Sequence, residues 1–254
     1  MLLKQTFVFL PLGCLLFAAG AQATVIYSDT TTFSGEGFAN GGATVIAGND
    51  VTKMAADDIT VAPGFAGATV SSFTFSVANL NTSAVTAQPL IRFYSNDGTS
   101  GGPGTLLGAF TFNPISFSAS VVGLFTFSGS NLFTVPTSGT FWAGITFDDN
   151  TGATGATAAQ LNNLGQGLFN PPTVGSSTDA FFETTSAGTF TGNNPAGGFD
   201  FFGGNPVANF GWSFSGTAAT PEPGTGMLSL LAAIPLAAGF IRQRGRRSKA
   251  LRDV

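Results

Sequence analysis

The chain has 254 residues, 43% of them hydrophobic and only 9% charged, with 35 Gly and 27 Phe. That length holds one large β domain or two small domains, and charge this sparse is far below the roughly 25% of an ordinary soluble domain. No His occurs anywhere, which excludes Ser-His-Asp triads and His-bound metals.

Abundant Phe, Val, Thr and Gly with few helix formers point to an all-β chain, because aromatic and β-branched side chains suit a half-buried pleated surface. Ahead of that pattern stands MLLKQTFVFLPLGCLLFAAGAQA, residues 1–23. A positive charge at Lys4, an apolar middle and small residues at the end follow the order of a secretory signal peptide. Ala21 and Ala23 mark the expected cut, leaving Thr24 as the first mature residue. The small-residue ending favours cleavage over a permanent N-terminal membrane helix. Gly13-Cys14 sits among apolar residues as a lipoprotein site would, but Pro11-Leu12 fits such a site poorly. Cys14 is the single cysteine, so a chain cut before Thr24 has neither disulfides nor thiol chemistry. A domain of roughly 200 residues can hold by packing alone.

Residues 24–219 read as a β-sandwich ectodomain of jelly-roll type. Period-two alternation marks strands with one buried face. SFTFSVANL aligns Phe73, Phe75 and Val77, and LIRFY aligns Ile91 and Phe93. GTFWAGITF aligns Phe141, Ala143, Ile145 and Phe147, and ANFGWSF aligns Phe210, Trp212 and Phe214. Roughly ten such runs occur, with turns expected at SNDGTSGGPG, NPISFS and TVPTSG. FTFSVANL at 73–80 nearly repeats as FTFSGSNL at 125–132. That echo fits equivalent strands of a duplicated half, or simply a Phe-Thr-rich composition; no solenoid period is present.

Lys53 and Arg92 are the only basic residues of the ectodomain, against eleven acids, so it carries a formal charge of −9. Such a surface repels phosphates, which excludes nucleic acid as a partner. With a single Lys and no His, an enzyme would need a Ser-Lys pair or two facing carboxylates of glycosidase type, from Glu36, Glu183 or the Asp pairs. Nothing fixes the spacing of such a pair, and the reading is non-catalytic. No cofactor is expected; Asp57-Asp58, Asn96-Asp97 and Asp148-Asp149-Asn150 could supply oxygen ligands for calcium, or could be solvated turn acids. Trp142 and Tyr94 alternate with buried-face residues and so could form an outward aromatic face that stacks on sugar rings. The competing reading packs Trp142 beneath a loop such as Thr151 to Ala159, and Trp212 reads as core.

AADDITVAPGFAGATVSSFTF, IRFYSNDGTSGGPGTLL and TSGTFWAGITF, over roughly 55–150, resemble a β domain common in exported bacterial proteins ahead of assorted surface anchors. Phe141 stands where that domain usually has Tyr. The resemblance implies a sandwich and brings no reaction with it.

The chain ends TPEPGTGMLSLLAAIPLAAGFIRQRGRRSKALRDV, residues 220–254. No charge occurs from Pro223 to Ile241, about enough to span a bilayer core, with the span itself at about 224–241. Pro235 would kink such a helix without forbidding it. Arg242, Arg244, Arg246, Arg247, Lys249 and Arg252 follow; cations beside a span stay cytoplasmic, which puts the ectodomain outside. The order Pro221-Glu222-Pro223, apolar span, basic cluster closely resembles the PEP-CTERM sorting signal of Gram-negative bacteria. That resemblance implies an exosortase-type membrane protease as partner, association with exopolysaccharide and biofilm, and a single-pass precursor. It implies passage through the inner membrane to the cell surface or extracellular matrix.

Overall fold

The computed structural model describes residues 22–219, so the expected signal peptide up to Ala21 and the tail from residue 220 lie outside the described residues. Within them the chain is β-rich and builds two antiparallel sheets packed face to face. The first sheet holds β1 (Thr24–Ser28), β2 (Phe33–Ala39), β6 (Thr69–Asn79), β10 (Val121–Thr134), β12 (Leu164–Phe169) and β15 (Trp212–Thr217). The second holds β3 (Thr44–Ile46), β4 (Asn49–Val51), β5 (Ala55–Thr60), β7 (Val85–Ser95) and β8 (Leu106–Thr111), together with β9 (Ile115–Phe117), β11 (Thr140–Asp148), β13 (Ala180–Thr184) and β14 (Gly197–Phe201). One helical turn, α1 (Ala158–Leu161), is closed by a capping box in which Thr157 and Gln160 satisfy each other's backbone N–H groups. No helix among the described residues is long and apolar enough to cross a membrane.

The alternation read from the sequence fills the space between the sheets. Phe73, Phe75, Trp212 and Phe214 come from the first sheet, and Ile91, Phe93, Phe141 and Ile145 from the second; all are buried. Aromatic rings meet across the layer, Phe73 against Phe93 at 5.0 Å and Phe141 against Phe214 at 5.0 Å, both edge to face. Edge-to-face packing sets the positive rim of one ring against the negative face of another. Core cohesion here comes from Phe rather than from disulfides, since residues 24–219 contain no cysteine.

The two near-repeated segments lie side by side as hydrogen-bonded partners. β6 and β10 run antiparallel with Phe73 opposite Phe127, Thr74 opposite Thr126 and Phe75 opposite Phe125. The Thr74 and Thr126 hydroxyls lie 2.8 Å apart, and Phe75 stacks on Phe125 at 5.7 Å. The echo thus places like residues opposite each other on both faces of the strand pair. NPISFS, expected as a turn, contains β9, which pairs Val85–Ala87 of β7.

Thr24 of β1 lies opposite Gly216 of β15, so both ends of the described chain leave the first sheet at the same pole. One flank is closed: the edges β8 and β10 meet through Phe110 and Phe127 at 5.6 Å. On the other, the edges β2 and β14 meet no further strand among the described residues, and Phe38, Phe181 and Phe202 pack together there. β2 reaches β12 only because residue 165 is glycine; a Cβ there would stand 1.7 Å from the Phe38 carbonyl oxygen.

Candidate functional site

The structure corrects the proposed sugar-stacking face. Trp142 does lie on the outer side of β11, opposite the core, but only 4% of it is exposed. Its indole N–H donates to the Gly101 carbonyl at 3.0 Å, and its ring packs against Phe182 at 6.2 Å and Phe199 at 5.7 Å. Tyr94 is fully buried beside it and donates its hydroxyl to the Phe190 carbonyl. Both rings belong to a second apolar cluster with Met54, Ala56, Leu90, Phe182 and Phe190. The cover comes from the loop at Thr99–Gly102, the segment before β14 and β14 itself, not from Thr151–Ala159. Neither ring can stack on a sugar.

The paired acids play distinct parts. Asp57 of β5 is fully buried; its Oδ2 accepts the Phe210 N–H at 2.8 Å, and its Oδ1 lies 2.9 Å from the Ser177 hydroxyl. The same hydroxyl lies 3.0 Å from Asp58 Oδ1, which also accepts the Thr178 N–H at 2.9 Å. One hydroxyl hydrogen cannot serve two carboxylates. A proton on Asp57 resolves this: Asp57 donates to Ser177, and Ser177 donates to Asp58. Burial, then the neighbouring Asp58 charge, raises the Asp57 carboxyl well above the usual range, in agreement. Asp179 adds a third tie by accepting the Ala208 N–H at 2.7 Å. These acids fasten the loops before β13 and β15 to the sandwich.

Asp29, at the end of β1, is fully buried, and neither carboxylate oxygen meets a hydrogen-bond partner among the described residues. Burial alone pushes its carboxyl up to about 7. The Tyr27 hydroxyl, also unbonded, is driven well above its ordinary value by burial and then by the Asp57, Asp29 and Asp58 charges. Asp148 accepts from the Asn49 amide at 2.9 Å and from the Asn150 N–H. Among the described residues no three His, Cys, Asp or Glu side chains converge where a metal ion could sit. Glu183 pairs with Lys53 at 3.0 Å, which engages the lone lysine of the ectodomain, and Glu36 lies on the exposed part of β2.

Asp97 serves the loop that covers Trp142. It accepts from the Ser95 hydroxyl, from the Thr105 N–H at 2.7 Å and from the Thr105 hydroxyl at 2.8 Å, which together lower it to about 2. Beyond that loop lies a groove of about 420 Å³ between Thr99–Pro103 and Asn194–Phe199. Phe199 is 39% exposed at its wall.

No family model matches the chain, and no curated protein or solved structure gives a significant match.

Of the residues expected to direct export, Ala23 and Thr24 are exposed and lead into β1. Ala21, Pro221, Glu222, Pro223, Arg242, Arg244, Arg246, Arg247 and Lys249 lie outside the described residues. Phe199 and Phe201 escaped the sequence reading because GGFDF follows TGNNPA, and such Gly-Asn-Pro composition reads as loop. The one available signal was Phe at alternate positions beyond the two glycines.

Proposed function

We propose that this chain is an exported, non-catalytic cell-surface or extracellular-matrix protein, sorted by an exosortase-type membrane protease and associated with exopolysaccharide or biofilm. The observation that carries the reading is the order of Pro221-Glu222-Pro223, an uncharged run and a basic cluster, in a chain opening with a signal-peptide pattern. In the precursor, residues 224–241 form the transmembrane helix and Arg242 to Arg252 stop transfer, because moving several cations through hydrocarbon is prohibitive. Pro-Glu-Pro holds the outer junction extended, since a residue before proline is biased away from helix. The protease cuts there and the sandwich leaves the membrane.

Jelly-roll winding belongs to the same proposal; it is supported by β10, β11, β12 and β13 alternating between the two sheets. The non-catalytic reading is supported by the engagement of Lys53 with Glu183 and of Asp57 and Asp58 with loop main chain. Membrane fractionation tests the sorting claim. Glu222→Ala should accumulate uncut precursor in the inner membrane, whereas normal release of that variant would refute recognition of the motif.

The second reading is a carbohydrate-binding module for the organism's own polysaccharide. Trp142 and Tyr94 are unavailable to it, so any such activity must use another surface.

A further inference from the structure

The groove between the Thr99–Pro103 loop and β14 has the chemistry of a site for an uncharged glycan chain, and we infer that it binds one with Phe199 as the stacking platform. This inference deepens the carbohydrate-binding reading and rests on it, not on processing of the tail.

Four observations carry it. First, Phe199 is an exposed ring held from below, against Trp142 at 5.7 Å and Phe182 at 5.9 Å. Its orientation is set before any ligand arrives, and its outer side is free for the apolar face of a sugar ring. Second, the facing polar groups are neutral and unused. The Thr99 and Ser100 hydroxyls and the Asn194 amide bond no other side chain or main chain among the described residues, and all three residues are exposed. Hydroxyl and amide groups match sugar hydroxyls as donors and acceptors, and among the described residues no charged one lines the groove to suit an ionic ligand. Third, β14 leaves the groove open: Gly197 and Gly198 line it with main chain alone.

Fourth, the walls are fastened to each other rather than left to move. Trp142 ties Gly101, and Asp97 closes the loop on Thr105. The Asn193 side-chain oxygen accepts the Leu106 N–H at 2.8 Å, and the Asn194 N–H donates to the Gly104 carbonyl at 2.8 Å. A pinned groove loses little entropy when a ligand binds, which is what preorganisation contributes to affinity. Its volume of about 420 Å³ falls in the range of small-ligand clefts, enough for a short stretch of chain rather than a whole polymer.

Affinity gel electrophoresis of the full chain in detergent provides the test. The gels contain dextran, mixed-linkage β-glucan or galactomannan, with alginate as the charged control. Retardation in at least one neutral gel and not in alginate is expected. Phe199→Ala should weaken it at least tenfold. Thr99→Ala, which removes a groove hydroxyl that bonds nothing else among the described residues, should also weaken it while leaving the melting temperature unchanged. Absence of retardation in every neutral gel would overturn the carbohydrate reading and the groove with it. Retardation that survives both substitutions, or that is equal in alginate, would overturn the groove alone by placing the binding elsewhere.

Discussion

Asp29→Asn should make the protein more stable at alkaline pH, and the effect can be sized from burial. Asp29 is fully buried with both carboxylate oxygens unbonded among the described residues, and its carboxyl sits at about 7. The unfolded chain has an ordinary value of about 3.9. The folded state thus holds its proton more tightly than the unfolded state does. The stability this contributes is complete below about pH 4 and is lost as pH rises towards 7. A gap of about three units, at 1.36 kcal/mol each, sets an upper bound of about 4 kcal/mol on that loss. Asparagine is nearly isosteric and never ionises. At pH 8 the variant should exceed the parent by about 2–4 kcal/mol, and at pH 4 the two should agree within about 1 kcal/mol. For a domain this size that is a rise in Tm of about 5–10 °C at pH 8. Repulsion among the other ten acids also grows with pH, but it acts on both proteins and cancels in the difference. Urea denaturation of the two full chains from pH 4 to pH 8.5 provides the measurement. A difference that does not change with pH, or a variant weaker at pH 8 than at pH 4 relative to the parent, would refute the buried-acid argument.

Three further outcomes follow from named contacts. Asp57→Ala should cost about 3 kcal/mol, because it strands the buried Phe210 N–H and breaks the Ser177 link, whereas Asp57→Asn should cost little, its oxygen accepting from Phe210 and its amide donating to Ser177 as the protonated acid does; equal losses in urea melts would contradict a protonated Asp57. Trp142→Ala should lower stability by about 3–5 kcal/mol, read by calorimetry, since it empties the cluster beneath β14; an unchanged melting temperature would return Trp142 to the surface. Gly165→Ala should destabilise by about 3 kcal/mol by driving a methyl group into the Phe38 carbonyl, while Gly198→Ala should be near neutral.

The inter-sheet core was legible because alternation is a local property: Phe73, Phe75 and Val77 must share a face whatever else the chain does. Residues whose fate depends on distant cover were not. Trp142 alternates outward correctly, yet its cover comes from Gly101, Phe182 and Phe199, which no window around residue 142 contains. Asp57 resembles a turn acid in sequence and becomes buried only when Ser177 and Phe210 close over β5. β14 was hidden for a different reason. Its two glycines and the preceding Asn-Asn-Pro carry turn composition, and the strand is fixed by pairing with β13 rather than by its own propensity. The FTFS echo was visible, but a repeat does not tell whether two copies occupy equivalent places or face each other.

Intact-mass analysis of the surface and extracellular fraction tests the central claim most directly. The account predicts a chain that starts at Thr24 and ends near Glu222 or Pro223, without the span and the basic cluster. Full-length mature chains at the surface, still carrying Arg252, would contradict sorting by cleavage and leave the tail a plain membrane anchor.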